Sequence, residues 1–263
     1  MTEFTQLLRR REGPVEHLVL NRPEVRNAFN EELIAELTAW AANAAQDGDL
    51  RAVVLSGAGP VFCAGADLEW MSKQAAFSKE DNMRDADAAA AMFSGLNDLP
   101  VPVIACIQGA ALGGGAGLAA VADIAVSEAG ATFGFTEVKL GLLPAIIAPY
   151  VLAKIGQSAC RELFLTGRRF TAERAREIGL VHSVVPPDRL DRSVQEHLDE
   201  ILGSGREAIA AAKTLLRRIS RCSSDEATSL SVHAIAERRV SAEAQERMRA
   251  FLKRNRSSTI DRQ

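Results

Sequence analysis

Cysteine is scarce in this chain, and long apolar runs are missing from it. The four cysteines lie far apart, with no CxxC pair and no histidine at metal-ligand spacing. No segment reaches about 18 uninterrupted apolar residues, and the start "MTEFTQLLRRREG" lacks the apolar core of a secretory signal. We therefore expect a reduced, cytoplasmic protein with no membrane span and no bound metal.

A strong charge of one sign is also absent. The formal net charge is −3 over 263 residues, whereas nucleic-acid-binding domains are normally strongly basic. We expect no nucleic-acid partner, and an acidic or neutral small molecule stays open as a substrate. Apolar residues at 47% and charged residues at 25% are typical of a globular chain, whose length fits one main α/β domain with a smaller appendage.

The phosphate-binding motifs GxGxxG and GxxxxGK[ST] are missing, although glycine is concentrated in one place. The stretch "IQGAALGGGAGLAAVADI", residues 107–124, contains a cluster of four glycines between an apolar run and a predicted helix. Glycine lets a backbone adopt positive φ or approach a ligand without a β-carbon. The cluster indicates either a ligand-binding cradle or a tight turn with close packing of a helix on a sheet.

Hydrophobic periodicity predicts an amphipathic helix over residues 30–45. Asn30 is the expected N-cap, because it stands directly before two glutamates and the first apolar repeat. The apolar stripe of this helix consists of Phe29, Leu33, Leu37 and Trp40.

Short apolar runs predict buried strands at "LRAVVLSG", "VPVIACIQG" and "ADIAVSE". A helix over residues 79–98 is expected between the first and the second of them. Strands that alternate with helices predict parallel βαβ units. From residue 187 onward only helical patterns follow, and they are interrupted at residues 203–205 and 220–224.

A second loop of small residues follows the first of these strands. It reads "GPVFCAGADLEWM", residues 59–71, and its Ala-Gly-Ala sequence leaves the backbone open to close approach. Two such loops after adjacent strands predict two backbone N–H donors that converge on one oxygen atom, which is the layout of an oxyanion hole.

Four ordered motifs then resemble one known family. They are "NRPEVRNAFN", "FCAGADLEWM", "GAALGGGAGLAAVADI" and "FGFTEVKLGLLP", and they resemble the successive signatures of the crotonase superfamily, also called the enoyl-CoA hydratase/isomerase family. The resemblance implies an α/β fold with a repeated ββα spiral core over residues 1–200 and a helical C-terminal lobe over residues 201–263. It also implies a homotrimer or a dimer of trimers.

The resemblance further implies an acyl-CoA substrate and no separate cofactor, since coenzyme A is part of the substrate. The backbone N–H groups of Ala66 and Gly114 would form the oxyanion hole, with a tight turn as the competing interpretation. Glu137 would be the catalytic acid, and Gly117 occupies the position where two-acid hydratases carry a second glutamate. A surface or helix-capping carboxylate is the alternative role of Glu137.

The implied CoA-binding residues come from three segments of the sequence. Arg26 is expected to contact phosphate, with an unliganded surface arginine as the alternative. The full set is Arg26, Ala28, Ala64, Asp67, Leu68, Phe251 and Lys253.

A single glutamate leaves three functions open, two of them catalytic. The chain resembles hydratases of branched glutaconyl-type thioesters, through "PAIIAPYV" and "FCAGADLEWM", and we expect this activity first. A Δ3,Δ2-enoyl-CoA isomerase and a non-catalytic acyl-CoA-binding protein are the alternatives. The absence of a side chain at Gly117 would open space for a branched substituent or an ordered water. Lys73 and Lys139 are candidates to bind a second substrate carboxylate, unless both are solvated.

Overall fold

The computed structural model describes residues 4–220 and 222–260, with side chains up to residue 253. The strands are β1 (Leu7–Glu12), β2 (Val15–Leu20), β3 (Ala52–Gly57), β4 (Val103–Ile107), β5 (Ala110–Leu112), β6 (Ile124–Glu128), β7 (Thr132–Gly134), β8 (Arg169–Thr171) and β9 (Ser183–Val185). The α-helices are α1 (Glu31–Ala44), α2 (Leu68–Gln74), α3 (Lys79–Asn97), α4 (Gly114–Val121), α5 (Ala148–Thr166), α6 (Ala172–Glu177), α7 (Leu190–Gly203), α8 (Arg206–Ile219), α9 (Ser224–Val240) and α10 (Ala242–Ile260).

The strands form two sheets. The larger sheet has six strands in the order β1-β2-β3-β4-β6-β9, and the smaller has three in the order β5-β7-β8. After β4 and after β6 the chain adds one short strand to the smaller sheet and then enters a helix. After β3, Cys63 makes an isolated parallel bridge to Ala111 of β5. Successive ββα units are therefore stacked along the chain, as the resemblance predicted.

The predicted helix and strands of the first half are confirmed. Asn30 caps α1 through its side-chain oxygen, which accepts a hydrogen bond from the backbone N–H of Leu33 at 2.9 Å. The three predicted strands correspond to β3, β4 and β6, which pair in parallel. The predicted stripe is buried, with Leu33, Leu37 and Trp40 at 0% exposure and Phe29 at 4%.

The sequence analysis missed the strands of the smaller sheet. β5, β7 and β8 contain three residues each, which is too short for an alternating pattern to be recognised. Their parallel and antiparallel pairings come from contacts between distant parts of the chain. These short strands matter for the site because β5 leads directly into the glycine cluster at the start of α4.

The chain divides into two compact units between Leu198 and Asp199, inside α7. The second unit is helical, and the predicted interruptions fall between α7 and α8 and between α8 and α9. A further interruption, at Ser241 between α9 and α10, was not predicted. Across the described residues, every helix is too short or too polar to cross a membrane.

A buried asparagine connects the loop before α1 with the loop after β3. Asn27 is fully buried at 0% exposure and has a positive φ of 56°, a conformation that asparagine tolerates better than most residues. Its side-chain N–H groups donate to the carbonyls of Ala58 at 2.8 Å and Val61 at 2.7 Å, and its oxygen accepts from the backbone N–H of Arg22 at 2.9 Å. Asn27 therefore fixes the loop before α1 onto the loop after β3.

We expect the substitution Asn27→Ala to lower the free energy of unfolding by about 2–4 kcal/mol, because it removes three hydrogen bonds and leaves buried backbone groups without partners. Chemical denaturation of both proteins measures this difference. Asn43→Ala is the matched control, since Asn43 is exposed on α1 and its substitution is expected to change stability by less than about 0.5 kcal/mol. Equal losses in the two variants would contradict the bridging role of Asn27.

Candidate active site

Two loops meet at a pair of glycines. Gly65 in the loop after β3 and Gly113 before α4 both have positive φ, of 95° and 50°. An ideal β-carbon built on either glycine would lie 3.8 Å from the Cα of the other, and one on Gly65 would lie 2.9 Å from the carbonyl oxygen of Leu112. A larger residue at Gly65 would therefore force the loops apart. The next residues along the chain, Ala66 and Gly114, are brought to the same place.

The backbone N–H groups of Ala66 and Gly114 are both left available for an oxygen atom, as an oxyanion hole requires. In the part of the chain that the structure describes, the N–H groups of Ala66 and Gly114 donate to no protein acceptor. Gly114 is the first residue of α4, whose N-cap, Gly113, has no side chain to satisfy it. A helix N-terminus carries about half a positive charge, so these N–H groups suit an oxygen that becomes negative.

Ala66 is held in position by its two neighbours. The backbone N–H of Phe29 donates to the carbonyl of Gly65 at 2.7 Å, and the N–H of Asp67 donates to the carbonyl of Phe29 at 2.9 Å. The loop before α1 therefore pairs with both peptide groups that flank Ala66. This pairing fixes the Ala66 N–H without using it.

The Asp67 carboxylate strengthens the same loop. It is buried, caps α2 by accepting from the N–H groups of Glu69 at 2.7 Å and Trp70 at 3.3 Å, and accepts from Arg22 Nη2 at 2.9 Å. Burial opposes ionisation of Asp67, but these hydrogen bonds outweigh it and lower the pKa of the carboxyl. The sequence analysis placed Asp67 among the CoA-binding residues and missed this positioning role; its contact with CoA stays a prediction.

The other predicted CoA-binding residues of the first unit lie along the same junction. The N–H of Ala64 donates to the carbonyl of Arg26 at 3.0 Å, which joins the two predicted segments directly. Arg26 is exposed, Ala28 is 5% exposed, and Leu68 is 80% exposed at the start of α2. The exposed guanidinium and leucine side chain are accessible to a ligand, and their binding roles stay predictions.

Glu137 lies beside the second loop. It begins a 3₁₀ turn, Glu137–Leu140, and its Oε1 would be 3.1 Å from an ideal β-carbon on Gly113. Its Oε2 is buried and has no hydrogen-bond partner among the described residues. Burial raises the pKa of the Glu137 carboxyl, opposed only in part by a hydrogen bond from its own backbone N–H. A surface or capping carboxylate would not leave Oε2 buried without a partner, whereas this arrangement is typical of a proton-transfer group. The catalytic role of Glu137 stays a prediction.

Comparison with known proteins identifies the family to which this fold and site correspond. The sequence model of the enoyl-CoA hydratase/isomerase family matches residues 10–259. A putative enoyl-CoA hydratase of Thermus thermophilus is 31% identical over 242 residues, which are 92% of this chain and 96% of the relative. A mevalonyl-coenzyme A hydratase of Beauveria bassiana is 40% identical over 175 residues, which are 64% of this chain and 62% of the relative. The crystal structure of an enoyl-CoA hydratase from Shewanella pealeana superposes with a TM-score of 0.92 at 36% identity, and covers 96% of this chain and 95% of that one.

The chain belongs to the enoyl-CoA hydratase/isomerase family. The predicted crotonase fold is thereby confirmed, with a mixed α/β core and a helical C-terminal part. An acyl-CoA substrate is consistent with this family membership, and with the two loops and the acid described above.

The space beside Gly117, where two-acid hydratases carry a second glutamate, is filled by other side chains. Gly117 is the fourth residue of α4 and is buried, and an ideal β-carbon there would lie 2.3 Å from Cγ2 of Ile147 and 3.1 Å from Cε1 of Phe93. The expectation that Gly117 opens space for a substituent or a water is therefore wrong, because Ile147 packs into that space. Gly117 contributes no chemical group, and its N–H donates to the carbonyl of Gly113 at 3.0 Å.

Aromatic side chains pack against α4 near Gly114 and Gly117. The ring of Phe93 lies 6.0 Å from that of Phe29 and 6.3 Å from that of Tyr150, measured between centroids. An ideal β-carbon on Gly114 would lie 2.8 Å from Cε2 of Phe29. The helix that presents the Gly114 N–H is therefore packed against hydrocarbon, which strengthens electrostatic interactions in a site closed by substrate.

The two lysines suggested for a second substrate carboxylate lie at the surface. Lys73 Nζ is 3.2 Å from Oε1 of Glu31, and the lysine side chain is 52% exposed. Lys139 is also exposed, and its Cγ lies 3.2 Å from an ideal β-carbon on Gly167. The solvated alternative therefore fits both lysines.

The last two predicted CoA contacts belong to the second unit. Phe251 and Lys253 lie on α10 with exposed side chains, that of Phe251 at 59%. Their predicted contact with CoA stays a prediction.

We expect Glu137→Gln to unfold at a higher temperature than the unsubstituted protein near neutral pH. Because burial raises the pKa of Glu137, the folded protein keeps this proton to a higher pH than the unfolded chain does, so stability falls as pH rises from the ordinary value of 4.5 through the folded pKa. Glutamine removes this loss. Thermal unfolding over a pH series measures the difference, which is expected to shrink below pH 4.5.

The matched control for this stability measurement is Glu246→Gln, since Glu246 is exposed on α10. Its melting temperature is expected to follow the unsubstituted protein at every pH. If Glu137→Gln and Glu246→Gln behaved alike near neutral pH, the buried ionisation of Glu137 would be disproved.

Proposed function

We propose that this protein is a hydratase that adds water across the double bond of a branched 2-enoyl-CoA thioester. The observation that carries the proposal is Oε2 of Glu137, which is buried without a partner in the described part of the chain, in a carboxyl that lies next to the glycine loop before Gly114. Support comes from relatives named as hydratases, including the mevalonyl-coenzyme A hydratase, whose named acyl group is branched at the β-carbon.

In this mechanism the backbone stabilises the enolate. The thioester oxygen accepts hydrogen bonds from the N–H groups of Ala66 and Gly114, and it gains negative charge when a nucleophile adds to the β-carbon. Because both donors are fixed before substrate binds, little reorganisation is needed as the charge develops. One well-placed donor of this kind lowers a barrier by about 3–4 kcal/mol.

Glu137 then carries one proton through the whole reaction. Its carboxylate takes a proton from water as the water oxygen bonds to the β-carbon, and the double-bond electrons move onto the thioester oxygen. The protonated Glu137 next gives that proton to the α-carbon as the enolate collapses. The carboxylate is regenerated, and the product gains one H and one OH. A raised pKa suits this cycle, because the group must both accept and release a proton.

We propose a glutaconyl-type acyl group with a branch, on the resemblance of "PAIIAPYV" to that branch of the family. Such a substrate carries a second carboxylate. Both candidate lysines are exposed, at Lys73 and Lys139, and an unpaired carboxylate is costly to bury. The second carboxylate is therefore expected to extend toward solvent, where an exposed lysine can reach it.

A second candidate is a Δ3,Δ2-enoyl-CoA isomerase. The observation that favours it lies at Gly117, where two-acid hydratases carry their second glutamate. This chain has no carboxylate at that position, and Ile147 fills the space beside it. Moving one proton between the α and γ carbons needs only Glu137. A non-catalytic acyl-CoA-binding protein is the remaining outcome of the test below.

The ultraviolet absorbance of the conjugated thioester distinguishes these functions. We expect absorbance to fall when the protein is added to 3-methylglutaconyl-CoA, with a higher kcat/KM than for crotonyl-CoA, because water addition removes the conjugation. A rise with a 3-enoyl-CoA and no fall with either 2-enoyl-CoA would make the protein an isomerase. Binding without any change in absorbance would contradict both catalytic functions.

The same assay tests the role of the acid. Glu137→Gln is expected to lower kcat by about 10²–10⁴-fold, because glutamine cannot accept the proton, while the Kd for butyryl-CoA stays nearly unchanged. Glu246→Gln is the control and is expected to keep full activity. Full activity in Glu137→Gln would overturn the mechanism.

We also propose that the protein assembles as a homotrimer or a dimer of trimers, as the family resemblance implies. Support comes from apolar side chains exposed on the helices of the second unit. They are Leu216, Val232, Ile235, Val240, Met248, Phe251 and Leu252. Sedimentation velocity is expected to give the mass of three or six chains, and a monomer at micromolar concentration would contradict the proposal.

A further inference from the structure

The N-terminal end of α4 contacts two different side chains, an acid and an isoleucine. Gly113, the N-cap of α4, and Gly117 are four residues apart and joined by a backbone hydrogen bond of 3.0 Å, so they lie one turn apart along the helix axis. Above Gly113 lies the Glu137 carboxyl, with Oε1 3.1 Å from the ideal β-carbon. Above Gly117 lies Ile147, with Cγ2 at 2.3 Å. The acid and the isoleucine therefore lie against successive turns at the N-terminal end of α4.

An acyl chain bound at the oxyanion hole would pass both groups. Its carbonyl carbon is fixed near the Gly114 N–H, and the α- and β-carbons must lie within reach of Glu137. One helical turn further is about 5.4 Å, roughly the length of four carbon–carbon bonds. The atoms beyond the β-carbon, where branches occur, are thus the ones that meet Ile147.

We infer that Ile147 is a specificity-determining residue, whose side chain limits the size of the acyl group beyond the reacting carbons. This inference rests on the proposed function, since it assumes that an acyl-CoA binds with its carbonyl at Ala66 and Gly114. It assigns a role to a residue that does not take part in proton transfer.

The position of Ile147 is well fixed. Its carbonyl accepts from the N–H groups of Tyr150 at 3.1 Å and Val151 at 3.0 Å, at the start of α5, and its side chain is 3% exposed. The Phe93 ring, 3.1 Å from the same ideal β-carbon of Gly117, packs beside it. A β-branched side chain has few rotamers, so it cannot swing away to admit a larger group.

Shortening this side chain is expected to enlarge the site at one point. Ile147→Ala removes three carbon atoms next to Gly117 and leaves Glu137 and both N–H donors in place. A hydrophobic pocket distinguishes ligands that differ by a methylene group by about 10–200-fold. We therefore expect the preference for a longer, branched acyl group to rise by at least about tenfold in this variant.

Saturated acyl-CoAs test the inference without catalysis, because they bind and have no double bond to react. The ratio of the Kd values for butyryl-CoA and 4-methylpentanoyl-CoA, measured by isothermal titration calorimetry, is compared in the unsubstituted protein and in Ile147→Ala. Ile155→Ala is the matched control, since Ile155 is a buried isoleucine on α5, at 8% exposure, and the atoms nearest an ideal β-carbon on Gly117 belong to Ile147 and Phe93. Its ratio is expected to match that of the unsubstituted protein.

The outcomes separate the inference from the proposed function. A ratio that shifts equally in Ile147→Ala and Ile155→Ala, or in neither, would overturn the inference while the protein still binds acyl-CoA. If the unsubstituted protein bound neither thioester, the proposed function itself would fail, and the inference with it. If Ile147→Ala does not fold, Ile147→Val decides, with a smaller shift expected in the same direction.

Discussion

The loop at Gly65 contacts the loop at Gly113 so closely that a β-carbon on Gly65 would lie 2.9 Å from the carbonyl oxygen of Leu112, and both glycines have positive φ. Every other feature of the site depends on this contact. It brings Ala66 and Gly114 together, although Ala66 follows β3 of the larger sheet and Gly114 follows β5 of the smaller one. It also leaves room for the Glu137 carboxyl against Gly113. A β-carbon at Gly65 would press on the carbonyl oxygen of Leu112 at 2.9 Å, and one at Gly113 would meet Oε1 of Glu137 at 3.1 Å.

The acid is maintained at a cost to stability. A carboxyl oxygen of Glu137 is buried without a hydrogen-bond partner among the described residues, and burial raises its pKa. A purely structural carboxylate would be paired, as Asp67 is with Arg22 and two backbone N–H groups. The contrast between these two acids separates their roles. Asp67 holds the loop of one donor, whereas Glu137 stays available to exchange a proton with a ligand.

The sequence predicted those parts of the molecule that depend on local pattern. The capped helix after Asn30, the three long buried strands and the two glycine loops all have signals within a short stretch. The short strands of the second sheet, the buried Asn27 and the positioning role of Asp67 depend on contacts with distant residues, which no local pattern reveals. Gly117 shows the same limit: its missing side chain suggested empty space, but Ile147, thirty positions later, fills it.

The central claim is that two backbone N–H groups and one buried acid act on a thioester at one place. A crystal structure of the protein with butyryl-CoA tests it most directly. The account predicts that the thioester oxygen lies about 2.7–3.1 Å from both the Ala66 and the Gly114 nitrogen, with the Glu137 carboxyl against the α- and β-carbons. A thioester oxygen that contacts neither nitrogen, or an acyl chain that leaves the site away from Glu137, would contradict it.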